Sequence, residues 1–488
     1  MTGIPVLSII VLAPVTAALL IGLFGGNPKL PRAIALAAGT IALMGAVWVF
    51  AIYDRVAGGF QFAERVPWIP SFGVSYSLGV DGISAPMLLL TALIIFTGVL
   101  VSWNVEERPR EYFALLLLLV TGVFGVFAAR DAFLLFFFYE MAVLPMYLLI
   151  AVWGSTRKEY AAMKLTLFLF AGSATLIVLL VLVYWQVGQG TFDLAVWSSH
   201  TFPRTFQHWA FLLALVGFGT LIPIFPLHTW SPDGHVAAPT AVSMLHAGVL
   251  LKIGAYGLIR LGLTLFPQGW GDWALLIAVI GIINIVYGAL CAMSQTDLKY
   301  VVGYSSVSHM GYVLLGLAVG GTYGLTGAVF QMFSHGIMTG LFFALIGYVY
   351  EKTHTRKIAE ISGLMQRAPL VAACFIIAAA SSMGLPSTAG FVAELTVYVG
   401  VVLKSVWLAA AAFVGVVVTA AYLLRVLSHI LLGDPSEAVA PISDAPPLRF
   451  APMAILAGTI MLVGILPGTL YTIIGSGVAP LLQRLAGG

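Results

Sequence analysis

Three ionisable side chains lie inside runs that are otherwise apolar enough for lipid. Glu140 lies in FLLFFFYEMAVLPMYLLI, Lys252 in MLHAGVLLKIGAYGLI and Glu394 in GFVAELTVYVGVVL. An ionised group at the centre of a membrane helix costs about 2.5–3.5 kcal/mol on insertion scales, so such residues usually face the protein interior or water. Three of them along one chain predict a role in proton transfer.

Each of these side chains also has a simpler structural explanation. A carboxylate near a helix end would reach the membrane interface, but Glu140 has apolar residues on both sides. Lys252 is too central in its run for its stem to reach water easily, and a buried lysine, unlike arginine, can lose its proton. Glu394 follows a helix break, and the structural alternative is that its carboxylate only stabilises the broken segment. Proton transfer is the favoured explanation for all three.

Two further apolar segments carry a histidine within a polar stripe at helical spacing. The stripes in YSSVSHMGY and QMFSHGIMTG consist of Ser305, Ser308, His309 and Tyr312, and of Gln331, Ser334, His335 and Thr339. Such serines commonly bond neighbouring helices to each other, which is the favoured explanation for them. Because imidazole titrates near neutral pH, His309 and His335 are candidates for proton transfer. The alternative is haem ligation by this pair, but the polar surroundings suit water better than porphyrin.

The composition is that of an all-α membrane protein with many spans. Of the 488 residues, 61% are hydrophobic and 8% are charged, whereas soluble proteins carry about 25% charged residues. The apolar runs are long and do not alternate with polar residues, so they predict membrane helices and not barrel strands. We place about fourteen spans, at 4–24, 31–52, 83–102, 112–129, 132–153, 162–186, 208–227, 240–261, 271–292, 300–319, 325–350, 369–402, 405–432 and 450–473.

With fourteen spans, both termini lie on one side of the membrane. The loops after odd-numbered spans hold the larger set of basic residues, which is Lys29, Arg32, Arg108, Arg110, Arg157, Lys158, Lys299, Lys352, Arg356, Lys357, Arg367 and Arg449. By the positive-inside rule this set faces the cytoplasm, so both termini are expected outside.

Two spans contain prolines and glycines that interrupt a helix. They are LIPIFPLHTWSPDGHVAAPT in the seventh span and SSMGLPSTAGFVAE in the twelfth. Interrupted backbone at membrane depth is tolerated only inside protein or along water, and matched breaks indicate an ion pathway between repeats. Since the breaks are five spans apart, they predict inverted repeats of five helices. Within one membrane domain, 1–488, the expected parts are N-terminal helices 1–3 (1–110), a first repeat (111–262), an inverted second repeat (270–432) and a C-terminal helix (450–488).

Other chemistry is not indicated. Cys291 and Cys374 are far apart, and the chain has no cysteine cluster, Rossmann glycine pattern or Walker motif. We therefore expect no catalytic redox residue, cofactor or metal site on this chain. Asp297 and Lys299 lie at a predicted inner helix start, where structural pairing explains them at least as well as transport. The role of Arg425 inside the thirteenth span stays open.

Six segments spread along the chain form a distinctive set of motifs. They are LGVDGISAPMLLLTALI at 78–94, FFFYEMAVLPMYLLIAVWG at 136–154, FPLHTWSPDGHVAAPTA at 225–241, LLKIGAYGLIRL at 250–261, QTDLKYVVGYSSVSHMG at 295–311 and GLPSTAGFVAE at 384–394. The set resembles the antiporter-like subunits of respiratory complex I, most closely the M type. The resemblance covers nearly the whole chain.

The resemblance implies fourteen helices with inverted five-helix repeats, in agreement with the spans. It places the family's input carboxylate at Glu140, its central lysine at Lys252 and its exit position at Glu394, which is lysine in the L and N types. Lys299 is a further candidate for proton transfer. The histidines of the family's connecting path correspond to His228, His235, His309 and His335.

One position departs from the family pattern. The family places a lysine before the proline-rich break of the seventh span, where this chain has Leu221 and no Lys or Arg close by in sequence. Without that cation, the charge of a buried Glu140 is less compensated. Such a chain is a weakly coupled pump, a duplicated M-type copy, or one that uses another charged pair.

The expected function is proton translocation in the membrane arm of an NADH:quinone oxidoreductase-type complex in the cell inner (plasma) membrane. We expect quinone, FMN and iron–sulfur clusters on partner subunits, L-, N- and K-type subunits as neighbours, and no nucleic acid partner. One alternative is a subunit of a multi-subunit sodium/proton antiporter. Another is the membrane arm of an energy-converting hydrogenase or of an ion-coupled carbon-uptake complex.

Overall fold

Helices make up most of the computed structural model, which describes residues 5–24, 27 and 29–487. The N-terminal helices are α1 (Val6–Phe24), α2 (Leu30–Ile52) and α3 (Ser84–Val101), with a hairpin of β1 (Gln61–Ile69) and β2 (Val74–Val80) between the last two. Next come α4 (Pro109–Ala128), α5 (Ala132–Trp153), α6 (Lys158–Val187), a short α7 (Leu194–Ser199), α8 (Arg204–Leu221) and α9 (Trp230–Ala237). One further span joins α10 (Thr240–Leu245), a π-helical segment (His246–Leu250), α11 (Leu251–Gly257) and a second π-helical segment (Leu258–Leu263).

The second half of the chain repeats this succession. It contains α12 (Pro267–Met293), α13 (Leu298–Val319), α14 (Gly321–Thr353), a short α15 (Leu364–Arg367), α16 (Pro369–Ser382), α17 (Ala389–Lys404) and α18 (Val406–Leu431). The chain closes with α19 (Pro447–Ile465) and α20 (Gly468–Gly487).

Twelve helices of the described residues are long and apolar enough to cross a membrane, with Thr240–Leu263 counted as one. The two predicted spans that are missing from this set are the interrupted ones. The seventh span is divided into α8 and α9, and the twelfth into α16 and α17. Twelve continuous spans and two broken ones agree with the predicted fourteen, and the predicted fold class is confirmed.

Two junctions of the same construction lie at the starts of α5 and α13. Asp131 and Asp297 each cap the helix that follows. Each also forms an isolated β-bridge, Asp131 with Asp193 after α6 and Asp297 with Lys357 after α14. In both bridges the flanking residues exchange two backbone hydrogen bonds. The second helix of each five-helix group is therefore tied in the same way to the loop after the third.

The two groups also pack in the same order. In the first group α4 contacts α5, α5 contacts α6, and α6 contacts both parts of the broken helix, α8 and α9. In the second group α12, α13, α14, α16 and α17 repeat this arrangement, and the groups meet where α12 packs on α8 and α13 on α9. Because five crossings end on the opposite face, the equivalent junctions lie on opposite faces, as inverted repeats require.

Loops that the spans assign to the same side of the membrane touch one another. On the face assigned to the outside, Arg130 N–H donates to Ser77 O of the hairpin at 2.8 Å. On the opposite face, Ser155 N–H donates to Ala237 O at 2.8 Å. The alternation of the loops therefore agrees with the predicted succession of spans.

The hairpin of β1 and β2 was not predicted. Its strands pair antiparallel from Gln61 opposite Val80 to Ile69 opposite Val74. Most of β1 is exposed or half-buried on both faces. A strand that buries neither face lacks the alternation of apolar and polar residues by which a strand is recognised.

The C-terminal end differs from the single helix predicted over 450–488. α19 ends at Ile465, and α20 begins at Gly468. A proline disfavours helical backbone at the residue before it, and Leu466, which precedes Pro467, has φ −121° and ψ 60°. The fourteenth span therefore ends about eight residues before the predicted boundary at 473, and α20 packs separately against α14.

Candidate functional site

The first helix break leaves backbone groups that a neighbouring helix satisfies. α8 ends at Leu221, and Pro223 and Pro226 keep the following residues out of a regular helix. Asn284 of α12 bonds this segment twice, since Phe225 N–H donates to its Oδ1 at 2.8 Å and its Nδ2 donates to Pro223 O at 3.1 Å. The backbone groups of the unwound segment are thus satisfied by α12, although Pro226 and Thr229 in the same segment are exposed.

The second break brings a carboxylate against the backbone. α16 ends at Ser382, and Gly384 follows with φ +65°, a conformation that favours glycine. A Cβ added at Gly384 would lie 2.9 Å from Glu394 Oε2. Glu394, on the second turn of α17, therefore packs directly on the turn between α16 and α17.

Between the two breaks, four buried side chains form a continuous line. Lys252 Nζ lies 2.6 Å from His335 Nδ1. The ring centroids of His335 and His309 are 5.5 Å apart, and His309 Nδ1 lies 3.2 Å from Glu394 Oε1. Lys252 is 0% exposed and Glu394 is 6% exposed. The structure thus brings together four of the residues that the sequence singled out, from three different helices and the π-interrupted span.

The histidines of this line are held by other polar side chains. His309 Nε2 bonds Ser382 Oγ at 2.9 Å, and Gln331 Nε2 lies 3.2 Å from His309 Nδ1. His335 Nδ1 is bonded to the lysine, as described above. Because three of the four ring nitrogens already contact protein groups, the geometry disfavours haem ligation by this pair.

The central lysine lies in a distorted span. The π-helical segments His246–Leu250 and Leu258–Leu263 flank α11, which carries Lys252. Its Nζ donates to Ala247 O, a carbonyl of the first π-helical segment. Such π-helical turns are rare and frequently occur at functional sites.

A second group of side chains extends from the line towards the face assigned to the cytoplasm. The ring of His235 in α9 stacks on that of His246, with centroids 3.9 Å apart. Ser243 Oγ donates to His235 O at 2.9 Å, and Lys299 Nζ donates to Ala238 O at 2.7 Å. Neither ring of the stacked pair has a hydrogen-bond partner among the described residues, so its nitrogens are available for proton exchange.

Glu140 and His228 lie apart from the line of four. The ring of His228 stacks on that of Phe225, with centroids 5.7 Å apart, and meets that of Tyr287 edge to face, with centroids 5.1 Å apart. Glu140 is half-buried beside Ser173 of α6, and its Oε1 has no hydrogen-bond partner among the described residues. No hydrogen bond or ion pair within the described part of the chain joins either residue to the line.

A lysine of α6 forms an ion pair with the second part of the first broken helix. Leu221 is fully buried at the end of α8. Lys164 Nζ of α6 lies 2.7 Å from Asp233 Oδ2 in α9, and Tyr300 OH donates to Asp233 Oδ1 at 3.1 Å. The ion-pair partner of Lys164 is therefore Asp233 and not Glu140.

Two of the residues with open roles make structural contacts. Asp297 accepts a hydrogen bond from Lys299 N–H at 2.7 Å as the cap of α13, and its Oδ2 lies 3.3 Å from Arg356 Nε. Arg425 donates to Met293 O at the end of α12. The serines behave similarly where they bond between helices, as in the 2.8 Å bond from Ser308 Oγ to Ile285 O.

Sequence reasoning missed His246 and the Lys164–Asp233 pair. His246 carried a signal, because it lies six residues before Lys252 in the same apolar run. The Lys164–Asp233 pair has no recognisable sequence signal, because its two residues are 69 positions apart and become neighbours only when α6 packs on α9. Within the described ranges, no group of three or more His, Cys, Asp or Glu side chains is arranged to hold a metal ion.

The chain is similar to proteins of known designation over nearly its whole length. Residues 129–419 match the family described as NADH:quinone oxidoreductase/Mrp antiporter, TM. The chain is 41% identical to NAD(P)H-quinone oxidoreductase chain 4 3 of Picosynechococcus sp., over 87% of this chain and 79% of that protein. It is 36% identical to NADH-quinone oxidoreductase subunit M of Rhodobacter capsulatus, over 98% and 96%.

Solved structures share the fold. A chain of respiratory complex I from Thermus thermophilus with bound NADH has a TM-score of 0.90 and 30% identity, over 98% of this chain and 99% of that one. A chain of the Mrp complex from Dietzia sp. has a TM-score of 0.89 and 24% identity, over 99% of this chain and 100% of that one. At that identity the second likeness concerns the fold alone.

Proposed function

Since this chain belongs to the NADH:quinone oxidoreductase/Mrp antiporter transmembrane family, as its motifs predicted, we propose that it is the M-type membrane-arm subunit of an NADH:quinone oxidoreductase complex and transfers protons there. The subunit M and chain 4 designations of its relatives support the M type, as does the likeness to respiratory complex I. Glu394, the M-type exit residue, agrees with this assignment.

The line from Lys252 to Glu394 is the observation that carries the proposal. It joins the π-interrupted span of the first repeat to the broken helix of the second, and all four side chains are buried. Ionisable groups at this depth are costly, so a contiguous set of them is unlike ordinary helix packing. A buried lysine and two imidazoles are groups that exchange protons near neutral pH.

Transfer along the line proceeds in short steps. Lys252 Nζ and His335 Nδ1 are within hydrogen-bond distance, so a proton passes between them directly. The gap between the rings of His335 and His309 is wider, and one water or a ring rotation completes that step. His309 Nδ1 then delivers the proton to Glu394 at the second break.

Uptake takes place on the face of Lys299 and His235, and release on the face beyond Glu394. The richer set of basic loop residues supports a cytoplasmic position for the uptake face and external positions for both termini. The membrane is the cell inner (plasma) membrane. Uptake begins through Lys299 and the His235–His246 stack, which reaches towards Lys252. His228 and Glu140 act as a separate input within the first repeat.

The driving reaction takes place on other chains. This chain carries no redox catalytic residue or cofactor, and quinone, FMN and iron–sulfur clusters reside on partner subunits. The M-type designation makes L-, N- and K-type subunits its neighbours in the membrane arm. Conformational or electrostatic change from quinone reduction alters the charge along the line and so moves protons.

NADH-driven proton uptake by inverted membrane vesicles tests the proposal. Lys252→Met removes the central proton carrier at nearly constant volume, and Lys404→Met is the matched control because Lys404 is exposed at the end of α17. Glu140→Gln tests the separate input, and Leu221→Lys tests whether a cation at that position raises coupling. Assembly and quinone reductase activity are measured for every variant.

We expect Lys252→Met to lose proton uptake per NADH oxidised while Lys404→Met keeps it, and Glu140→Gln to lose part of it. Normal uptake in a fully assembled Lys252→Met variant contradicts the proposal. Sodium-dependent proton exchange without NADH oxidation would instead support the sodium/proton antiporter alternative.

A further inference from the structure

A buried arginine lies at the outer end of the span that carries the central lysine. Arg260 lies eight residues beyond Lys252, in the second π-helical segment. Its Nη2 lies 2.5 Å from Asp81 Oδ1, and the two side chains are 10% and 6% exposed. The transfer line turns sideways at Lys252 to His335 and leaves this outer end unused.

The carboxylate that holds this arginine is itself fixed. Asp81 Oδ1 accepts hydrogen bonds from the backbone N–H groups of Ile83 and Ser84 at 3.0 Å each, at the start of α3. The neighbouring Gly82 packs so closely under α20 that an added Cβ would lie 2.0 Å from Ile473 O. The partner of Arg260 is therefore part of a rigid outer cover and not of a mobile loop.

Aromatic rings close the space around the guanidinium. Its carbon lies 4.8 Å from the ring centroid of Tyr256 and 5.1 Å from that of Phe60, which precedes the hairpin. Tyr256, one turn from both Lys252 and Arg260, donates its hydroxyl proton to Phe127 O at 3.1 Å. The hydroxyl that lies on the span between Lys252 and Arg260 is thus committed to a carbonyl.

An arginine in such a position acts as a barrier to protons. Its guanidinium does not lose its proton in proteins, so it cannot relay one as lysine or histidine does. A fixed positive charge in a narrow, poorly solvated passage also repels an approaching proton, as it does in channels that exclude protons. Arg260 Nε is buried and unpaired among the described residues, so Asp81 compensates the charge only in part.

We propose that Arg260, positioned by Asp81, is the outer barrier of the first repeat, which makes protons that reach Lys252 leave sideways through His335. The inference rests on the proposed function of the line. It adds a residue that gives the path its direction. With the barrier removed, a proton from outside reaches Lys252 and passes through the His235–His246 stack to the inner face.

The second repeat supplies a matched control. Arg425 follows Tyr422 in AAYLLRVL, as Arg260 follows Tyr256 in AYGLIRL, and each arginine lies near the end of the last span of its repeat. Arg425, however, is exposed, contacts a carbonyl instead of a carboxylate and faces a surface cavity of about 560 Å³. Its removal opens no buried compartment.

Passive proton entry into membrane vesicles, without NADH, tests the inference. The decay of an imposed pH difference is followed with a trapped pH dye in membranes that contain the assembled complex. We expect Arg260→Gln to raise the decay rate at least about tenfold, which corresponds to about 1.4 kcal/mol of lost barrier. Arg260→Lys, which keeps a charge, should raise it less, and Arg425→Gln should match the wild type.

A second variant separates a specific leak from a loosened fold. If the leak passes the lysine, Lys252→Met/Arg260→Gln must leak less than Arg260→Gln alone. An equal leak in the double variant, or an assembled Arg260→Gln complex as tight as wild type, overturns the inference. If Arg260→Gln does not assemble, Arg260→Lys carries the test, because a buried lysine, unlike arginine, can lose its proton, and an assembled Arg260→Lys complex as tight as wild type then overturns the inference.

The two proposals fail in different ways. Normal pumping by Lys252→Met contradicts the proposed function itself. Lost pumping in Lys252→Met together with a tight Arg260→Gln complex contradicts only the barrier.

Discussion

Replacing Asp131 with alanine should destabilise the protein more than replacing any other helix-capping aspartate described above. Its Oδ1 accepts from the N–H groups of Phe133 and Leu134 at 3.0 Å each, and its Oδ2 accepts from Ser75 N–H of the hairpin at 3.0 Å. The side chain is 1% exposed. One carboxylate therefore starts α5, which carries Glu140, and also fastens the hairpin to it.

The magnitude follows from these bonds. Loss of an N-cap costs about 0.5–2 kcal/mol. The N–H of Ser75, a residue that is 8% exposed, is left unpaired, which adds about 1–3 kcal/mol. We therefore expect Asp131→Ala to lower the free energy of unfolding by about 1.5–5 kcal/mol. Asp131→Asn keeps an oxygen for the cap but places an NH₂ group opposite Ser75 N–H, so it should lose only the second contribution.

Two matched controls set the scale. Asp297 caps α13 at the equivalent junction with one backbone hydrogen bond, so the lost cap in Asp297→Ala should cost about 0.5–2 kcal/mol. The loss of its partly exposed ion pair with Arg356 should add at most about 1 kcal/mol. Asp193 caps only the six-residue α7, so Asp193→Ala should cost about 1 kcal/mol or less.

Thermal unfolding of the detergent-solubilised protein measures this order. Cys374 is buried and reacts with a thiol-sensitive dye only when the protein opens, whereas Cys291 is half-buried, so all variants are compared in a Cys291→Ser background. The reasoning is refuted if Asp131→Ala melts with Asp193→Ala, or if Asp131→Asn and Asp131→Ala melt together.

Three further outcomes follow from single contacts. Asn284→Leu removes the partner of two backbone groups in the first break and should cost about 1–3 kcal/mol and reduce proton uptake, measured by the dye and vesicle assays. Gly288→Ala places a Cβ 2.7 Å from Ser308 N and should cost about 1–3 kcal/mol by separating α12 from α13, whereas Gly271→Ala, with no atom within 4 Å, should melt like the wild type. Burial raises the pKa of Asp131, so the folded protein binds this proton more tightly and its contribution to stability falls as the pH rises. The difference in melting between wild type and Asp131→Ala should therefore narrow as the pH rises above about 4, the usual pKa of an aspartate, and a widening difference would contradict the assignment.

Periodicity and composition were sufficient for the spans, because each crosses the membrane as a long apolar run. The helix breaks were equally predictable from the sequence, because proline and glycine affect the local backbone whatever surrounds them. The hairpin was missed because β1 is largely exposed and shows no alternation, and the end of α19 was misplaced because the effect of Pro467 was overlooked.

The site was predicted residue by residue but not as a geometry. Lys252, His335, His309 and Glu394 stood out because each is ionisable within an apolar run. The separation of Glu140 from them had no sequence signal, and neither had the pairing of Lys164 with Asp233. The assigned roles in proton transfer stay predictions until the vesicle measurements are made.

The sequence by itself determined that this chain is a polytopic membrane protein with two broken spans and costly buried charges, because hydropathy, proline and charge act through local solvation and backbone sterics. Only the tertiary structure decided which of those charges touch. Lys252 meets His335 across 83 residues, and Arg260 meets Asp81 across 179. Such contacts depend on how the two inverted repeats pack against each other. A local sequence pattern does not specify the packing of distant helices.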